Sequence, residues 1–152
     1  MKKMIVAFIS SITFLLLFTG CANTEEGTFV PASDEQTQTA IEFVNDYKED
    51  MIYHTNQGSF SELEPYLVPN STFYHLVRRH VSDLQQERST LTLIEHTVSD
   101  VLINEFDEFH VNAYEMIETT DRHGKKVTEE LNITYELIEY NDIFRIVTIM
   151  KR

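Results

Sequence analysis

The chain has 152 residues, 42% of them hydrophobic, with 25 acidic side chains against 12 basic ones and a formal net charge of −13. That length fits one hydrophobic core, and four Gly, three Pro and an 11% aromatic content exclude a collagenous, low-complexity or wholly disordered chain. The single cysteine, Cys21, excludes a disulfide framework and any zinc site built from paired thiolates.

Of the basic residues only Lys2 and Lys3 precede Cys21, and no acidic residue does, so the remainder carries ten basic against 25 acidic side chains, a formal −15. Nucleic-acid affinity rests on Lys and Arg neutralising phosphates, so no nucleic acid is expected as a partner. A cationic or apolar partner is favoured instead, with encounter screened over about 8 Å at physiological ionic strength.

Residues 1–21 combine a basic start, an apolar run from Met4 to Phe18 interrupted by Ser10, Ser11 and Thr13, and the small-residue end Thr19-Gly20-Cys21. These are the parts of a secretory signal. The run of 15 residues is shorter than the roughly 20 that a spanning helix needs. Its end, Phe18-Thr19-Gly20-Cys21, resembles the lipobox of bacterial lipoproteins, departing at Phe18, where that pattern prefers Leu. The resemblance implies that the Cys21 thiol receives a diacylglycerol and becomes the mature N-terminus, which anchors the protein by acyl chains to the outer face of the cell membrane. An ordinary cleaved signal that leaves a free Cys21 is the alternative. From Ala22 to Ala32 the sequence ANTEEGTFVPA has no period and reads as a flexible tether, spanning on the order of 20 Å. The expected organisation is therefore a signal peptide at 1–20, the lipidated Cys and tether at 21–32, and one domain at 33–152.

Ser33 followed by Gln36 is a capping box, and Ala40, Val44, Tyr47, Met51 and His54 recur at helical spacing, which predicts a helix from about Asp34 to about Asn56. After Gly58, Ser59 and Glu62 offer a cap for a short helix carrying Phe60, Leu63, Tyr66 and Leu67, stopped by Pro69. Ser71 caps a third helix, with a stripe of Phe73, Val77, His80 and Leu84, that lasts to about Arg88. Beyond Thr90 the period changes from 3.6 to 2. Strands are predicted at Leu91 to Ile103, Glu108 to Thr119, Lys126 to Tyr140 and Ile143 to Met150, with turns at Asp121-Arg122-His123-Gly124 and Asn141-Asp142. Three helices followed by a four-stranded antiparallel meander make an α+β domain, because the helices must cover one sheet face.

The run Asn56-x-Gly58-x-Phe60-x-x-Leu63-x-x-Tyr66-Leu67-x-Pro69-x-Ser71, set between two amphipathic helices, resembles the start of a nuclear transport factor 2-like domain. It is similar in particular to the C-terminal domain of TcaA-type, teicoplanin-resistance-associated envelope proteins. Val98-x-Asp100-Val101 and Glu108-Phe109-x-Val111 follow in similar order, so the resemblance covers roughly residues 34–152. It implies a cone: three N-terminal helices packed on a curved four-stranded sheet, with a cup between sheet and long helix. A lipobox replaces the transmembrane helix and extra domains of the longer TcaA-type proteins, so only the location outside the membrane and use as a recognition module carry over.

Tyr47, Tyr66, Tyr74, Tyr114 and Tyr135, with His54 on the first helix, are the candidates to line that cup, each presenting a ring and a polar tip; ordinary core and rim positions compete with that reading. On the strands, Asp100 and Glu115 break the alternation, which a bulge or strand rim explains. His75 and His80 are five apart, about 140° around a helix, unlike the i, i+4 pair of a zinc site. No catalytic residue, metal site or cofactor is expected, and no GxSxG, HExxH or Gly-rich phosphate loop occurs. The expected role is a non-catalytic binding module at the bacterial envelope, with the membrane as anchor and an envelope protein, basic peptide or wall component as partner. Two alternatives stand beside it. A small isomerase- or hydratase-type enzyme using the cup would show a buried carboxylate or His in hydrogen-bond reach of a Tyr in a closed apolar cavity. A structural lipoprotein would show a filled cup and an exposed apolar patch.

Overall fold

The computed structural model describes residues 27–152. The expected signal segment, the expected lipidation at Cys21 and the first residues of the expected tether lie outside the described residues. Helix α1 (Asp34–Gln57) starts with the expected two-way cap: the Ser33 hydroxyl accepts from the Gln36 amide, and the Gln36 side chain accepts from the Ser33 N–H. It ends at Gly58, whose N–H donates to the His54 carbonyl. Glycine is needed there for space, since a Cβ would meet His54 Nδ1 at 2.2 Å.

The short helix expected next is instead two single 3-10 turns, Phe60–Glu62 and Glu64–Tyr66. Pro65 supplies no N–H and disfavours a helical Glu64, so the segment cannot run on as one α-helix. The turns still bury Leu63 and Leu67 completely. Helix α2 (Thr72–Glu87) is capped by the Ser71 hydroxyl, 3.0 Å from the Tyr74 amide, and closes on Arg88 in the left-handed region at φ 56°.

A five-stranded antiparallel meander follows, in the order β1 (Val30–Pro31), β2 (Thr90–Ile103), β3 (Glu108–Thr120), β4 (Lys126–Tyr140) and β5 (Ile143–Lys151). The four predicted strands are present; β1 is an addition. Its residues pair with Ile103 and Leu102, Ala32 donates to the Val101 carbonyl, and Phe29 stacks on His110 at 3.8 Å. The last residues of the expected tether therefore belong to the fold. A two-residue strand has no period to read, and Pro31 is tolerated because it sits on an edge.

Both hairpin expectations hold. Asp121 Oδ1 accepts from the amides of His123 and Lys125, and Gly124 takes φ 81°; Asn141 and Asp142 both have positive φ, as a two-residue turn of the favoured twist requires. Register shifts leave Ile94 and Ser99 of β2 and Val147 of β5 unopposed. Such bulges bend and twist a strand, which curls the sheet around α1. Phe109, Val111 and Ala113 of β3 and Ile133, Tyr135 and Leu137 of β4 then face Ala40, Val44, Tyr47 and Met51 of α1, all buried in one cluster.

Candidate functional site

Inside this apolar cone lies one charged pair. Position 48 falls on the same helical stripe as Val44, Met51 and Thr55, which aims Lys48 at the sheet, and position 115 continues the inward set Phe109, Val111 and Ala113. Lys48 Nζ meets Glu115 Oε2 at 2.7 Å, with side chains only 7% and 2% exposed. The other carboxylate oxygen accepts from the Tyr135 hydroxyl. His96, on the β2 residue opposite Glu115, brings Nε2 within 3.5 Å of that same oxygen and of the Tyr135 hydroxyl. Its Nδ1 lies 3.0 Å from Asn45 Oδ1, so Nδ1 donates and Nε2 is left as the acceptor.

Burial dominates the electrostatics of this cluster. It lowers the His96 pKa from the usual 6.5, with Lys48 acting in the same direction and Glu115 opposing. Burial, the Glu115 charge and its hydrogen bond hold the Tyr135 hydroxyl well above 10, and burial with Glu115 raises that of Tyr47. Near neutral pH the site is thus two neutral phenols, a neutral imidazole and one ion pair.

The pair floors a cavity of about 290 Å³ between α1, α2 and the wide end of the sheet. Met51, Leu91, Ile117, Leu131, Ile133 and Ile149 wall it, and His80, Thr119, Glu129 and Lys151 also line it. At the opposite end, a groove of about 340 Å³ lies over Phe43, Phe109 and Phe144 with Glu35, Glu139 and Asp142 beside it. Those carboxylates are exposed, so that groove has no buried polar group left to satisfy, and the cup is the better candidate. Among the described residues no cluster of three His, Cys, Asp or Glu side chains is arranged to hold a metal ion.

The six aromatic candidates do not form one ring around this cup. Tyr47 and Tyr135 are in the interior, edge to face at 6.2 Å, and only Tyr135 touches the ion pair. Tyr66 donates to Asp50 at 2.6 Å on the far side of Tyr47, and Tyr74 donates to Glu64 at 2.9 Å on the turn segment. Tyr114 alternates to the outer face of β3, where desolvation first, and then the Glu130 and Glu95 charges, raise its pKa. His54 leans on Gly58 near the end of α1, its Nδ1 buried without a partner among the described residues. Asp100 sits beside the Ser99 bulge and is held by Ser99 and Asn112, each at 2.7 Å, so a bulge accounts for it. Glu115 needs another explanation, because no bulge moves it off the inner face. Lys48 and Asn45 escaped the sequence reading, although the stripe through Val44 and Met51 already contains position 48.

A model of the TcaA protein NTF2-like domain matches residues 36–150. The chain belongs to this family. A curated relative, an uncharacterized protein of Alkalihalophilus pseudofirmus, is 36% identical over 142 residues, which is 92% of each chain. Among solved structures, the domain is similar to the intermembrane space region of the chloroplast protein ARC6, with TM-score 0.65 and 14% identity over 80% of this chain and 98% of that one. Aln2 from a Streptomyces species follows at TM-score 0.56 and 10% identity over 81% and 93%. At such identities these two likenesses speak to the NTF2-like fold alone. Among the described residues no helix is long and apolar enough to cross a membrane.

Proposed function

We propose that this TcaA-type NTF2-like domain is a non-catalytic, extracytoplasmic binding module, held to the bacterial membrane through lipidated Cys21, that recognises its partner with the cup. The observation that carries the reading is the state of the cup: it is open, apolar-walled and floored by an ion pair whose carboxylate already has both oxygens engaged. A general base takes its proton from a substrate held against it; both oxygens of this carboxylate already rest against donors of the fold itself, Lys48 and Tyr135. The TcaA-type family and the signal-like N-terminus support a location outside the membrane. The acidic surface favours a basic segment as partner over a polyanionic wall component. Large exposed apolar side chains stand on several elements, with Tyr53 on α1, Leu76 on α2 and Val127 on β4, and Tyr140 and Ile143 lie opposite each other at the β4–β5 turn.

The test is capture from native membranes with a photo-crosslinker at Thr119, comparing the wild type with Leu131→Trp, which fills the cup. A partner that crosslinks to the wild type and is lost from the filled variant supports the module; equal capture by both removes the cup from recognition. Cys21→Ala should release the protein from the membrane, and retention of that variant would overturn the lipid anchor.

A second reading, isomerase- or hydratase-type chemistry, is favoured by one observation: Glu115 contacts Tyr135 with His96 beside it. It requires proton exchange between the cup and a bound carbonyl compound. Solvent deuterium entering the carbon next to the carbonyl of a bound methyl ketone, and failing to do so in Glu115→Gln, would support it.

A further inference from the structure

The cup's chemistry also limits what can enter it, and the following rests on the cup being the recognition site. Lys48 has three N–H donors, of which one is used: its partner among the described residues is Glu115 Oε2 at 2.7 Å. The remaining donors belong to an ammonium that is 7% exposed and lines the cavity. A buried donor left unmade is costly, so the Lys48 ammonium holds unspent donor capacity at the floor of the cavity. Each Glu115 oxygen takes one donor, Lys48 or the Tyr135 hydroxyl, and keeps a lone pair that an amide N–H can meet.

Charge then selects among possible acceptors. The floor sums to zero, because His96 is kept neutral by burial and Glu115 cancels Lys48. A ligand carboxylate would add an uncompensated negative charge beside Glu115, in walls made by Met51, Leu91, Ile117, Leu131, Ile133 and Ile149. A ligand ammonium would add an uncompensated positive charge beside Lys48 within the same apolar walls. Among the other lining groups, Glu129 and Lys151 offset each other, so they do not tip the balance. About 290 Å³ suits a side-chain-sized or short acyl group rather than a long lipid chain.

We propose that the cup binds a neutral apolar group presenting a carbonyl oxygen, of amide type, to the Lys48 ammonium. Two sources carry this chemistry: a small free amide, or an apolar side chain beside a peptide carbonyl of a protein partner.

The experiment titrates the full-length lipidated protein in nanodiscs with matched short-chain probes, hexanamide, hexanoate, hexylamine and N-acetyl-leucine N-methylamide. The readout is the methyl resonances of Leu131, Ile133 and Ile149. Hexanamide is expected to shift them at a concentration about tenfold lower than hexanoate or hexylamine, each of which brings an uncompensated charge to the floor of the cup. In the doubly neutralised Lys48→Met/Glu115→Leu protein, hexanamide should still bind while the preference among head groups disappears. Lys48→Arg, which keeps the donor charge, should retain that preference. Leu131→Trp should lose the Ile133 and Ile149 responses to every probe. Tighter binding of the leucine amide than of hexanamide assigns the site to a protein segment, and the reverse assigns it to a free small molecule. Hexanoate binding as tightly as hexanamide, or a preference that survives double neutralisation, would overturn the ligand class while leaving the cup as a recognition site. Absence of any methyl shift with all four probes would overturn both.

Discussion

The two ends of the cone are built from the same strands and helix yet carry opposite kinds of interior. At the narrow end Phe109 packs edge to face on Phe144 at 5.0 Å, with Leu137 and Ile146 fully buried beside them, and acidic side chains lie outside in solvent. Six residues further along β3, the wide end buries Glu115 against Lys48 and leaves Ile117 and Leu131 only partly covered. One end is apolar within and charged without; the other is charged within and walled by apolar groups. The difference separates the end whose packing carries stability from the end at which we propose recognition. Apolar burial holds the cone together at one end, while the other end retains an ion pair that packing alone would not select.

The largest expected effect breaks the narrow end. Phe109→Ala should lower unfolding free energy by about 3–5 kcal/mol in chemical denaturation, because it removes a fully buried aromatic from both Phe144 and the α1 contact. No second substitution at the wide end should restore it. At the wide end, Lys48→Met leaves Glu115 buried without its cation and should cost on the order of 3 kcal/mol, whereas Lys48→Met/Glu115→Leu should recover most of that loss. Equal, additive losses would show that the pair is not coupled and that the two ends differ less than their geometry indicates.

A smaller effect concerns pH. The folded His96 has a pKa below 6.5, so between that folded value and 6.5 the unfolded chain binds more protons than the native one. Stability contributed by neutral His96 is therefore full above 6.5 and falls as pH drops through that window. In thermal melts, His96→Gln should flatten the decline in Tm on acidification while leaving the narrow end untouched. A decline of unchanged slope would remove His96 from the cluster's energetics. The smallest expected effect lies at the start of α1: Ser33→Ala breaks the capping box and should cost about 1 kcal/mol, with no change in what the cup binds.

Much of the fold was legible because it is written in local patterns. The capping box at Ser33, the stripe of α1, the Ser71 cap and both hairpin turns depend on residues within a few positions of one another, and each stands where the sequence places it. The departures share a cause as well. Val30–Pro31 is too short to show alternation, and Pro65 divides a segment whose apolar spacing alone reads as one helix. Tyr114 was grouped with the cup by residue type, although its alternation with Ala113 already sends it to the other face.

By itself the sequence determined the class of fold, the order of its long elements, the acidic exterior and the signal-like N-terminus, since composition, period and caps act through nearest neighbours along the chain. Only the tertiary structure decided the site. Lys48 and Glu115 are 67 residues apart in the sequence, and although the helical stripe and the strand alternation aim each of them inward, nothing local says that the two meet. Their meeting at 2.7 Å depends on the bulged curl of the sheet around α1. The burial that makes the pair costly exists only once that curl is closed.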